Sequence, residues 1–178
     1  MTEWVPWFRY QLNASAEAFV WAAQQLRASD QFTLPPEPNY LGTWPAARHV
    51  WHVSGYERCL ALPAMRQWVE IEPSMGEDWQ DNDAAWESGP RYSMAQYLEE
   101  FQAVRQEQLL LLDQLVPADW TALRKTGWGE KSLAWIVTKT FQHTYEHGDT
   151  LLRMGLWREH IEAQIAAALA LKSQNKGS

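Results

Sequence analysis

Apolar residues recur every three or four positions along most of the chain, which is the spacing of one face of an α-helix. The pattern predicts four long helices, followed by an alanine-rich fifth helix from about 157 to 171. The four are expected at residues 8–26, 46–62, 94–116 and 133–154. No stretch shows sustained apolar and polar alternation between hairpin turns, so the expected class is all-α.

Capping residues and prolines mark the ends of these helices. Ser93 with Gln96 three residues later matches a capping box at the start of the third helix. Thr43 followed by Pro45 predicts a capped start for the second helix. Pro63 is expected to end or kink that helix, with a short continuation beyond it.

Two connections are longer than the turns that join neighbouring helices. Residues 28–42 include three prolines and can travel the height of a bundle. Residues 72–92 carry two prolines, two glycines and six acidic residues, and are expected to form a surface lid or lip. Four helices with a long crossover describe a four-helix bundle. We expect residues 1–172 to form one bundle domain and residues 173–178 to be a disordered tail.

Four of the five histidines fall on two of the predicted helices. His143 and His147 lie four apart on the inward face of the fourth helix, so their rings can converge on one ion. His49 and His52 lie on the second helix, and either could point inward. The residues alone leave two interpretations open: histidines hydrogen-bonded in a core, or three metal ligands around an ion with open coordination sites.

The segments 44-WPAARHVWHVSGYE-57 and 143-HTYEHGDTLLRMG-155 together resemble the DinB/YfiT-like superfamily. The resemblance covers most of the chain and implies a four-helix bundle with a long crossover. It also implies a metal triad, with one histidine from the second helix and the pair from the last core helix. Matched by position, the implied ligands are His52, His143 and His147. His49 is left as a neighbour, and the segment 148-GDTLLRMG-155 departs from the pattern of many members, so the subfamily stays open.

The resemblance implies divalent-metal chemistry without fixing the reaction. The superfamily includes thiol-dependent S-transferases, a thiol-dependent maleylpyruvate isomerase, hydrolases and the iron-binding domain of sulfoxide synthases. We expect a metal-dependent enzyme, an S-transferase that joins a low-molecular-weight thiol to small electrophiles. A metal-dependent hydrolase and a non-enzymatic metal-binding, dimerisation or stress-response module are the alternatives. Zinc and nickel are the first candidate ions, followed by iron and manganese, because imidazole binds all four.

Aromatic residues near the implied ligands are expected to line a substrate pocket. The predicted substrate-binding residues are Trp44, Trp51, Tyr56 and Tyr145. Three further tryptophans are expected to close over the end of the bundle: Trp79, Trp86 and Trp128. For each tryptophan the alternative is core packing or a dimer contact, since the chain has twelve of them.

Three acidic residues and one cysteine lie near the implied ligands along the sequence. Glu57, Glu146 and Asp149 can orient ligand rings through hydrogen bonds, or they can be solvated charges. Cys59 is expected to be a small buried hydrophobe rather than a nucleophile.

Charge and composition restrict the expected partners and location. The net charge is −7, which argues against a nucleic-acid partner, because phosphate binding needs clustered cations. The chain has one cysteine and no secretory signal, so a cytoplasmic location is expected. No window approaches the roughly 18 to 20 apolar residues of a membrane span. A small-molecule substrate and a homodimer are the remaining expectations.

Overall fold

The computed structural model describes residues 4–36, 41–69, 79–89 and 91–174. Seven α-helices and one hairpin follow one another along these residues. In chain order they are α1 (Trp4–Gln24), α2 (Ala46–Tyr56), α3 (Leu62–Arg66), α4 (Asp83–Ser88), α5 (Met94–Leu112), β1 (Leu123–Thr126), β2 (Gly129–Ser132), α6 (Leu133–Leu156) and α7 (Arg158–Gln174). A 3-10 turn spans Ala28–Asp30, and a π-helical turn, Glu57–Ala61, joins α2 to α3.

The bundle consists of α1, α5, α6 and the combined α2–α3 segment. Helix α1 packs along α6, while α2 packs against both α5 and α6. The predicted helical-bundle class is therefore confirmed. Among the residues that the structure describes, no helix is long and apolar enough to cross a membrane.

The core has two apolar clusters separated by a polar layer. One cluster contains Phe19 and Phe101, and the other contains Leu12 and Ile136. Between them lie fully or almost fully buried polar residues, namely Ser15, Glu57, Arg105, Thr140 and Thr144. This layer crosses α1, α5, α6 and the π-helical turn, so it ties the helices of the bundle together.

The second helix continues past Pro63 instead of ending there. The Leu62 N–H bonds to the Glu57 carbonyl five residues back, which is the bond of a π-helical turn. Pro63 has no N–H for the carbonyl four residues earlier, and the widened turn lets the chain pass it into α3. Thr43 is not the cap: Pro45 occupies the N-cap position, and it makes no side-chain cap bond. The capping box of Ser93 and Gln96 is confirmed.

The sequence predicted no strands, and this prediction was wrong for the connection between α5 and α6, which forms a hairpin. Strands β1 and β2 pair antiparallel, with Thr126 opposite Gly129. Gly129 has a φ of +83°, and the Thr126 hydroxyl donates to its carbonyl at 2.8 Å. Both strands are four residues long and mostly exposed, so they lack the apolar alternation that marks a half-buried strand.

Several predicted boundaries also shift. Helix α5 ends at Leu112 rather than 116, and α6 continues to Leu156. The predicted tail begins inside α7, which runs to Gln174, and residues 175–178 lie outside the described part of the chain. The predicted excursion over 72–92 contains α4, while its residues 72–78 and 90 also lie outside the described ranges.

Candidate metal centre

Helices α2 and α6 bring four histidine rings together. The rings of His52, His143 and His147 have centroids 4.7 to 4.9 Å apart. Each of these three residues offers a ligand atom within 4.8 Å of those of the others. The closest approach within this triad is 3.0 Å, between Nε2 of His52 and Nε2 of His143. The spacing of four on α6 thus places both rings on the face that meets α2.

Burial keeps these rings neutral. It lowers the pKa of His143 to about 3, and the positive charges that His52 and Lys139 can carry act in the same direction. Burial lowers the pKa of His147 to about 2, again with help from the neighbouring histidines. At neutral pH the two rings therefore hold lone pairs and no charge, which is the form that binds a metal ion.

The donor set fits a divalent cation of intermediate softness. Two nitrogens that each lie about 2.0–2.1 Å from a tetrahedral zinc ion are roughly 3.3 Å apart, close to the 3.0 Å between His52 and His143. Among the described residues, Nδ1 of His143 is buried without a hydrogen-bond partner. Three imidazoles, of which burial keeps those of His143 and His147 neutral, match the protein ligands of zinc sites that leave the fourth position to water or substrate.

Aromatic rings enclose the cluster. The Trp44 ring lies 5.2 Å from the His52 ring and stacks on His147 at 6.3 Å. The Tyr56 ring lies 4.2 Å from the His143 ring, and burial raises the pKa of the Tyr56 phenol. Tyr56 is therefore a neutral phenol in contact with His143, whereas Trp44 contacts His52 and His147.

Residues 79–88, which we call the strap, attach to α2 beside the histidines. The Trp79 ring lies 5.5 Å from the His52 ring. Asp81 Oδ2 lies 2.9 Å from His52 Nδ1, although no hydrogen bond to that nitrogen is aligned among the described residues. Asp83 forms an ion pair of 2.6 Å with Arg48, whose guanidinium lies over the Trp44 ring. The strap thus covers the α2 side of the centre.

Gly55 provides the space in which the Trp79 ring lies. A Cβ at residue 55 would meet Trp79 Cε2 at 2.5 Å, far inside contact distance.

Gly55→Ala is therefore expected to destabilise the protein by about 1–3 kcal/mol through overpacking. In a Trp79→Ala background the same change should stabilise it by about 0.5–1 kcal/mol, because alanine is the better helix former. Urea denaturation of the four proteins checks this reversal of sign. Equal effects in both backgrounds would show that Trp79 does not occupy this space.

The other predicted pocket residues lie further from the triad. Trp51 packs against Trp79 and Trp86, and so supports the strap. Tyr145 lies on the α1 side of α6, where its hydroxyl donates to Gln11 at 3.3 Å. That position does not support its predicted role in the pocket. Trp128, at the hairpin turn, contacts Tyr56, with ring centroids 6.0 Å apart.

The predicted ring-orienting acids are engaged elsewhere. Glu57 is buried and forms an ion pair with Arg105, and Asp149 pairs with Arg153 at 2.6 Å. Glu146 is exposed. Asp81 places a carboxylate beside a triad ring, a position that the sequence did not predict. Its only signal was that it belongs to the acidic excursion expected near the bundle end.

The fold and the site together define the class of this protein. It is a helical bundle with a three-histidine cluster that could bind a metal. The DinB superfamily model matches residues 11–151, and the chain belongs to that superfamily. The match includes all four histidines of the centre and confirms the resemblance found in the sequence. No curated protein matches the chain significantly.

Proposed function

We propose that this protein is a divalent-metal-dependent enzyme that transfers a low-molecular-weight thiol to a small electrophile. The observation that carries the proposal is the convergence of three imidazoles, with ligand atoms within 4.8 Å of one another, between aromatic walls. His52, His143 and His147 would hold the ion. When bound, such an ion lowers the pKa of a thiol and so supplies a thiolate nucleophile at neutral pH.

The protein residues around the triad supply a dry, apolar setting. Trp44 and Trp79 lie against the His52 ring from two elements, the start of α2 and the strap. Such rings exclude water and offer flat apolar surface to an organic substrate. Asp81 lies at Nδ1 of His52 and supports the orientation of that ring.

The surroundings favour a thiol over water as the nucleophile. Metal hydrolases of the HExxH type place a glutamate beside the metal as general base. Among the described residues, the cluster of metal-binding groups contains histidines only, with no carboxylate. Asp81 faces Nδ1 of His52, whereas Nε2 of that ring faces His143. A thiol whose pKa the ion lowers needs no such base, and the aromatic walls suit an organic thiol. Because an ion also lowers the pKa of bound water, ester cleavage is the reaction that tests against thiol transfer.

Metal removal and replacement test the proposal. The purified protein is expected to carry one divalent ion per chain by elemental analysis. A panel of low-molecular-weight thiols with a chloronitroaromatic electrophile should show thiol consumption that stops after chelation. Zinc, nickel, iron or manganese should restore it.

Three outcomes contradict the proposal in different ways. Absence of a stoichiometric ion, even after metal addition, removes its basis. Metal-dependent ester cleavage without thiol transfer would identify a hydrolase. A loaded protein that does neither reaction supports the non-enzymatic binding module.

A further inference from the structure

Two nitrogen-to-nitrogen contacts join histidine rings of the centre, and the shorter one is made by His49, the fourth histidine. Nδ1 of His49 lies 2.8 Å from Nδ1 of His147, and His49 is only 7% exposed. His49 does not belong to the group whose ligand atoms lie within 4.8 Å of one another. It therefore lies beside the triad, in contact with one member of it.

The two contacts between α2 and α6 have different chemistry. His52 and His143 approach through their Nε2 atoms, and both belong to the triad. His49 and His147 approach through their Nδ1 atoms, which leaves Nε2 of His147 as the nitrogen free for a metal ion. A neutral ring that binds through Nε2 carries its proton on Nδ1. His147 must then donate this N–H, and Nδ1 of His49 must accept it.

We propose that His49 is a positioning residue that accepts a hydrogen bond from Nδ1–H of His147 and so aims Nε2 of His147 at the ion. This inference rests on the proposed metal site. Metal-binding histidines usually donate their second N–H to a carboxylate, a carbonyl or water. Here an imidazole from the neighbouring helix takes that position.

The fold holds His49 firmly in this position. It lies on α2, three residues before His52, so one helix supplies both a ligand and the partner of a ligand on α6. Its ring also lies 5.3 Å from the Trp44 ring, which limits its rotation. His49 and His147 thus form a second cross-connection between α2 and α6, one turn away from that of His52 and His143.

Two substitutions at this position separate hydrogen bonding from packing. His49→Phe keeps a ring and removes the acceptor, while His49→Asn keeps an acceptor oxygen near the place of Nδ1. We expect His49→Phe to weaken zinc binding by about 10- to 100-fold in competition with a chelating dye. His49→Asn should recover most of that loss. His160→Phe, at an exposed histidine on α7, is the matched control and should bind like the wild type.

Spectroscopy distinguishes a positioning residue from a ligand. At saturation, the cobalt(II) absorption bands of His49→Phe should keep their wild-type positions, because the ligands are unchanged. In ¹⁵N NMR of the metal-free proteins, His147 should show a fixed Nδ1–H tautomer in the wild type and a mixture of tautomers in His49→Phe.

Each other result overturns the inference. If His49→Phe binds zinc as tightly as the wild type, the contact between His49 and His147 has no role in metal binding. The proposed metal site is unaffected by that result. Shifted cobalt bands, with a loss as large as that of a triad variant, make His49 a ligand. If the wild-type protein binds no metal, the proposed function is overturned as well. Elemental analysis of the wild-type protein detects that case separately.

Discussion

Replacing His147 by alanine is expected to weaken divalent-metal binding by about 100- to 1,000-fold. Structural zinc sites bind with about 10–16 kcal/mol shared among four ligands, so each ligand contributes roughly 3 kcal/mol. The triad offers only three histidines, all within 4.8 Å of one another. Loss of one leaves two, too few for a zinc-type site. Competition titration with a chelating dye measures the change.

The same substitution should remove the metal's effect on stability. A ligand at 100 times its dissociation constant stabilises the folded state by about 2.7 kcal/mol. For a chain of this size that raises the Tm by roughly 5–10 °C. Wild-type protein should show this shift on metal addition, and His147→Ala should not. His160→Ala is the control, since His160 is an exposed histidine outside the cluster. An undiminished shift in His147→Ala would mean that the ion binds elsewhere.

Helical periodicity is a local property, and it predicted most of the bundle. The inward stripe of the fourth helix includes Ile136, Thr140 and Leu151, all of which are buried in α6. The hairpin was missed because its strands, LRKT and GEKS, are short and mostly exposed. The continuation past Pro63 was among the predictions, but the π-helical turn was not, because it adds one residue without changing the apolar pattern around it.

The centre was predictable only where its residues share a helix. The spacing of His143 and His147 fixes their common face. The position of His52 relative to them depends on how α2 packs on α6, which spacing within one helix does not determine. Asp81 comes from the strap, whose position depends on tertiary contacts of Trp79 and Asp83. Glu57 was predicted either to orient a ligand ring or to be a solvated charge, but it is buried and its carboxylate meets Arg105.

The pair of Glu57 and Arg105 has the largest expected effect on stability. Glu57 is 0% and Arg105 2% exposed, and the guanidinium donates to both carboxylate oxygens. Arg105 also donates to the Leu12 carbonyl and to the hydroxyls of Ser15 and Thr144. Charges buried this deeply are tolerated only because each has its partner. Arg105→Met or Glu57→Met alone should therefore cost about 3–5 kcal/mol in the free energy of unfolding, measured in urea.

Removing both charges should cost less than removing either one. In Glu57→Met with Arg105→Met no charge is left uncompensated, and replacing a buried pair by apolar side chains is often neutral or stabilising. The two hydroxyls lose Arg105 as a donor but still donate themselves, Ser15 to the Leu12 carbonyl and Thr144 to the Thr140 carbonyl. The double variant should thus be more stable than each single variant. Additive losses would instead mean that the layer stabilises the bundle through its hydrogen bonds to α1 and α6, and not through compensation of two buried charges.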